Sequence, residues 1–193
     1  MTTVSIIAGL GNPEDKYGRT LHNAGFWFVD ALLRKYGGEL RYEKKFDAEI
    51  GRINLHGDDV WLVKPQSYMN LSGQPIRGML DYYRLRAREL LVAHDEIDLP
   101  PGTVRLKKGG GHGGHNGLRD VIQHCGADFL RLRIGVGHPG EKSKVTNYVL
   151  KKGSADVEAA VERNIDEAVA VMPTLLDDGL NAAMKALHTR KDD

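Results

Sequence analysis

The sequence predicts a single α/β domain over residues 1–193, with a twisted mixed β-sheet and helices on both faces. Three observations carry this. Short, mostly apolar runs such as 4–10 and 90–96 alternate with longer segments of helical period, the pattern of strands buried under helices. Two strand-like runs, 47–55 and 59–64, flank His56-Gly57-Asp58 as in a β-hairpin. A chain of 193 residues, 41% apolar and 27% charged, has the size and composition of one globular domain with an ordinary core.

Taken in order, 4–10 is a buried strand that ends in glycine. Gly9-Leu10-Gly11-Asn12-Pro13 follows, but Glu14 stands where a dinucleotide-binding Gly-x-Gly-x-x-Gly needs its third glycine. Pro13 blocks an immediate helix at Asn12, so this run is a turn presenting Asn12 at the carboxyl end of the strand. That edge is where open α/β sheets bind ligands. Leu21-His22-Asn23 leads into a helix over 26–36 that stops at Gly37, with Asn23 as a candidate N-cap. His22 then sits at the positive end of the helix, which keeps an imidazole neutral and able to act as a base; a capping or core histidine is the alternative.

Beyond the hairpin, a loop over 65–70 opens a helix through Ile76, Met79, Leu80 and Tyr83. Asn70 at that junction is either a ligand-facing amide or an Asx turn. A second buried strand, 90–96, ends in His94, Asp95 and Glu96. A rigid turn at 98–102 precedes a strand over 103–108 that puts Arg105 and Lys107 on one face. Gly109 to Gly117 then has six glycines in nine residues, with His112, His115 and Asn116, and runs into a helix through Cys125. Such a loop offers bare N–H groups and close approach to a polar ligand at a helix N-terminus. A strand over 129–136 carries Arg131 and Arg133 on one face, and 142–152 is a short basic segment. Ser154 caps an amphipathic helix to Val171 that Pro173 kinks or ends, and 180–187 forms the last helix. These acidic final helices are expected outside the core.

One cysteine, Cys125, excludes an intramolecular disulfide and fits a reducing compartment. No apolar run approaches the roughly 20 residues of a membrane span, and no basic n-region precedes an apolar stretch at the N-terminus, so a cytoplasmic location is expected. The net charge of +1 hides an asymmetry: ten Lys/Arg against three Asp/Glu over 99–152, two against seven over 153–187. The basic middle could meet a polyanion.

Asn12, His22, Asn70, His94, Asp95, His115 and Asn116 all fall at strand ends or helix starts. A P-loop fails, because the glycine run lacks the Lys and Ser/Thr that hold phosphate and Mg²⁺. A zinc site is disfavoured, because His112-x-x-His115 lies in a glycine loop without a second ligand pair. A serine hydrolase lacks its Gly-x-Ser-x-Gly. What remains is a neutral imidazole that takes a proton from water, a carboxylate that holds its tautomer, and asparagine amides that bind carbonyl oxygens.

Five stretches in register, Gly9-Leu10-Gly11-Asn12-Pro13, Leu21-His22-Asn23-Ala24-Gly25, 68–73, 93–102 and 109–118, resemble bacterial peptidyl-tRNA hydrolases over nearly the whole chain. The resemblance implies that family's α/β fold, of the phosphorylase/hydrolase-like kind. It also implies a monomeric esterase, needing no metal or cofactor, that cleaves peptide from the terminal ribose of tRNA and so recycles tRNA from aborted translation. Carried over by motif, His22 is the general base and Asp95 orients it. Asn70 and Asn116 hold substrate and water, and Asn12 tells a blocked amino group from a free one. Tyr17, Tyr68 and Met69 line the site, and His115 is a loop contact rather than the base. Arg105, Lys107, Arg133 and Lys142 face the acceptor stem. The family commonly has glycine at Glu14, arginine at Leu21 and phenylalanine at Tyr68, and a longer segment around 126–128. Loss of a positive charge beside His22 would favour its protonated form.

Overall fold

The computed structural model describes residues 3–188. Seven strands form one mixed sheet: β1 (Ile6–Gly9), β2 (Arg41–Glu43), β3 (Ala48–Leu55), β4 (Asp58–Pro65), β5 (Leu90–Glu96), β6 (Val104–Lys108) and β7 (Leu130–Gly135). The helices are α1 (Ala24–Tyr36), α2 (Gly73–Tyr82), α3 (Asn116–Cys125), α4 (Val145–Val149), α5 (Ala155–Asp178) and α6 (Leu180–His188). The strand order is β2-β3-β4-β1-β5-β7-β6. β1 pairs in parallel with β4 and β5, and β5 with β7, whereas β2–β3, β3–β4 and β6–β7 are antiparallel. The two longest uniformly buried runs in the sequence thus become neighbours at the centre of the sheet, as parallel strands covered on both faces must.

Alternate residues of these strands feed two cores. Ile7, Leu91, Ala93 and Leu132 meet Phe28, Val29 and Leu32 of α1 and Val161, Ile165 and Ala168 of α5. Ile6, Ala8, Val92 and Phe129 meet Ile76 and Met79 of α2 and Leu118 and Val121 of α3. The final helices are therefore not outside the core: the apolar face of α5 is one of its walls. Nor does Pro173 end α5, which continues to Asp178. The missing N–H costs about 3 kcal/mol, and burial of Met172 and Leu175 on either side of it offsets that. The short edge strand β2 has no counterpart in the sequence reading, because three exposed or half-exposed residues carry no alternation.

Two glycines fix how α1 meets the sheet. A Cβ on Gly25 would lie 2.3 Å from the Ala93 carbonyl oxygen, and one on Gly9 would lie 2.2 Å from the Gly25 oxygen. The first turn of α1 therefore packs backbone to backbone on β1 and β5. The 3-10 turn before it, Leu21–Asn23, is carried to the carboxyl ends of the two central strands.

Candidate active site

At that edge a cavity of about 460 Å³ opens. The end of β1 contributes Asn12, the turn before α1 His22, and the loop before α2 Tyr68, Met69 and Asn70. The end of β5 adds Asp95 and Glu96, and the glycine loop and start of α3 add Gly113, Gly114, His115 and Asn116. Ile97 with Val145, Val149 and Leu150 from the α4 region makes the wall apolar on one side. The α4 segment is stitched to the His22 turn, since Leu21 N donates to Lys151 O at 3.1 Å and Thr20 bridges Lys152.

Asp95 is the buried centre. Its Oδ2 lies 2.8 Å from His22 Nδ1 and its Oδ1 lies 2.8 Å from His115 Nε2. The tautomers follow from what else each ring does. Leu118 N–H donates to His115 Nδ1 at 3.1 Å, capping α3, so His115 carries its proton on Nε2 and donates to Asp95. His22 donates through Nδ1–H, which leaves the Nε2 lone pair uncommitted on a side chain that lines the cavity. The His22 and His115 rings lie 4.9 Å apart between centroids.

The charges of this group are set by burial and by each other. Burial alone pushes the Asp95 carboxyl up, but the two imidazoles and their hydrogen bonds hold it far below the usual carboxylate range. Burial pushes His22 down, and the Asp95 charge and hydrogen bond together outweigh it, so His22 is raised above its ordinary 6.5. His94 packs edge-on against His115, and its Nδ1–H donates to the Asp95 carbonyl at 2.9 Å. Burial first, then the neighbouring His115 imidazole, push it down to about 4, so it stays neutral. Leu21, at the position commonly filled by arginine, is fully buried in the core, and the basicity of His22 is governed by Asp95.

Asn12 is held on three sides. Asn23 Oδ1 accepts from Asn12 N at 2.8 Å and Asn23 Nδ2 donates to Asn12 O at 3.0 Å. Met69 N donates to Asn12 Oδ1 at 2.9 Å, which leaves the Asn12 amide NH₂ as the end without a partner. Asn23 therefore does not cap α1 with its side chain, as its position suggested; that amide is spent on Asn12. Its role was missed because an N-cap and a tertiary clasp use the same residue type at the same place.

The remaining expected site residues divide. Asn70 and Asn116 are exposed at the cavity, Met69 is a buried wall, and Tyr68 is 59% exposed at the rim. Tyr17 is half-buried on the turn Asp15–Tyr17 and is not among the lining residues. Arg105 pairs across the strands with Arg133, and Lys107 with Arg131, so four cations share one face of the sheet edge. Lys142 is exposed on the turn before α4. Arg133 donates through Nε to Glu96 at 2.9 Å, an ion pair that joins this face to the cavity. Among the described residues, His22, Asp95 and His115 are the group whose ligating atoms, within 4.8 Å of one another, could hold a metal ion. Here both imidazoles point N–H groups at opposite oxygens of one carboxylate, so neither of those nitrogens offers a lone pair to an ion. His112, whose spacing from His115 resembled a ligand pair, accepts from Gly114 N.

A buried carboxylate that orients an imidazole, ringed by amides at the carboxyl edge of a mixed α/β sheet, is an arrangement suited to a hydrolytic enzyme. The chain belongs to the peptidyl-tRNA hydrolase family, whose family model matches residues 6–193. The peptidyl-tRNA hydrolase of Halorhodospira halophila is 53% identical over 184 residues, 95% of each chain. That of Actinobacillus succinogenes is 47% identical, over 97% of this chain and 98% of its own. The crystal structure of the Acinetobacter baumannii peptidyl-tRNA hydrolase superposes with a TM-score of 0.94 at 46% identity, covering 98% of this chain and 96% of that one.

Proposed function

We propose that this chain, as a single catalytic domain, hydrolyses the ester joining a peptide to the 3′-terminal ribose of tRNA. The observation that carries the reading is the uncommitted Nε2 of His22, held by Asp95 in a cavity with three asparagine amides. His22 Nε2 takes a proton from water as the water oxygen attacks the ester carbonyl. The tetrahedral intermediate collapses, the ribose oxygen leaves, and the imidazolium returns the proton to it. Asp95 keeps Nδ1 protonated and stabilises the imidazolium. Asn70 and Asn116 bind the substrate carbonyl and the attacking water.

Asn12 supplies selectivity. With Oδ1 taken by Met69 N, its free end is a donor. A peptide carbonyl satisfies a donor; the free α-ammonium of an aminoacyl-tRNA opposes one. The apolar wall of Ile97, Val145, Val149 and Leu150 fits side chains of varied sequence. Arg105, Lys107, Arg133 and Lys142 contact acceptor-stem phosphates, which fixes register without reading sequence. The reaction uses no metal or cofactor, and the enzyme acts as a monomer in the cytoplasm. No described helix is long and apolar enough to cross a membrane.

The test is turnover of N-acetyl-aminoacyl-tRNA and aminoacyl-tRNA side by side. Cleavage of the blocked form alone, abolished in His22→Ala, is expected. Full activity in His22→Ala overturns the assignment of the base; no cleavage by wild type overturns the reading.

A further inference from the structure

The glycine loop is held at two points, and only one belongs to the site just described. Its far end is fixed by His115, through Asp95 and Leu118. Its near end is fixed by Arg131, whose role the esterase chemistry leaves open. Arg131 is 2% exposed, and among the described residues no carboxylate pairs with it. Its Nη1 donates to the Gly111 carbonyl, and its Nη2 to the Gly110 carbonyl at 2.6 Å and to Ala127 O at 3.4 Å. The guanidinium lies 4.5 Å over the Phe129 ring, and Nε has no partner.

A buried cation is costly unless its donors are filled. Here backbone carbonyls take the Nη donors, and two of the three come from the glycine loop, Gly110 and Gly111. Between residues 110 and 114 the loop's own bonds are Gly114 N to His112 Nδ1, and His115 N to His112 O, both 2.9 Å. Gly109 and Gly110 have φ of 66° and 104°, which suit glycine, and this path turns two successive carbonyls onto one guanidinium. The planar fork of arginine reaches both at once; the ammonium of lysine is a single point.

We propose that Arg131 is a positioning residue that fixes the glycine loop from beneath, and so sets where Gly113, Gly114 and Asn116 stand over the cavity. Its catalytic consequence rests on the esterase reading; its effect on the loop does not.

The test is Arg131→Met, which keeps much of the volume and removes the charge. The Gly110, Gly111 and Ala127 carbonyls lose their donor in this variant, so a lower melting temperature is expected, and the loop is compared at a temperature where both proteins are folded. Hydrogen exchange of amides 110–115 in the free protein is expected to accelerate about 10-fold or more. kcat/KM on N-acetyl-aminoacyl-tRNA is expected to fall about 10- to 100-fold, the scale of a misplaced positioning group. Arg131→Lys falls between the two. A folded Met variant with wild-type loop exchange or wild-type kcat/KM overturns the proposal. Should the Met variant fail to fold, the Lys variant is judged by the same two measurements. A wild type that leaves the ester intact defeats the esterase reading instead, and the exchange rates still decide the role of Arg131.

Discussion

Asn23 grips Asn12 by both backbone groups, accepting from its N–H at 2.8 Å and donating to its carbonyl at 3.0 Å. The residue next to His22 thus fixes Asn12 at the edge of the cavity. With Met69 N on Oδ1, the clasp decides which end of the Asn12 amide looks outward. Asn12→Asp replaces that donor with a carboxylate. It is expected to lower kcat/KM for blocked aminoacyl-tRNA by about 10-fold or more, and to narrow its preference over the unblocked form. Paired kinetics on the two esters measure both. An unchanged ratio removes Asn12 from the selectivity argument.

The pH dependence of turnover tests the Asp95–His22 pair. A base acts when neutral, and His22 is raised above 6.5, so with His22 as the base the acidic limb of kcat/KM is expected above 6.5 in the wild type. In Asp95→Asn the raising charge is gone and burial remains, so the limb moves down in pH while kcat falls about 10²- to 10⁴-fold. A limb that stays in place would show that another group titrates there.

Stability between pH 4 and 6.5 tests His94. Its folded pKa is lowered to about 4, so below 6.5 the unfolded chain binds a proton that the folded protein refuses. Stability is full above 6.5 and declines as pH falls towards 4, by about 3 kcal/mol for this group. The raised His22 acts in the other window: its contribution is present below 6.5 and lost as pH rises through its folded value. His94→Leu is expected to flatten the melting temperature between pH 4 and 6.5. A slope equal to wild type would place that dependence elsewhere.

Arg133→Gln tests the cationic edge. Each phosphate contact contributes about one unit to the slope of log affinity against log salt, so the variant should raise KM for tRNA and shallow that slope by about one. It also breaks the ion pair with Glu96 while relieving a like-charge pair with Arg105, so the melting temperature is measured alongside KM. Variation of KM with salt identical to wild type would take Arg133 off the tRNA path.

The sequence by itself determined the elements whose cause is local. Short apolar runs made β1 and β5, the period of 3.6 made α1 and α5, and His56-Gly57-Asp58 made the β3–β4 hairpin. Gly37, at φ 71°, ended α1 where it was expected to. The five motifs named the family, because their order along the chain is itself information. Only the tertiary structure decided what those residues do to one another. His22 and Asp95 stand 73 positions apart, and Asp95 and His115 stand 20 apart. Their shared carboxylate exists because β1 and β5 pair in parallel and Gly25 lets α1 rest on them. The tautomer of His115, the outward face of Asn12 and the burial of Arg131 depend on partners from distant segments. Local pattern fixes backbone conformation and which face is apolar; the direction of a hydrogen bond is fixed only when both partners are in place.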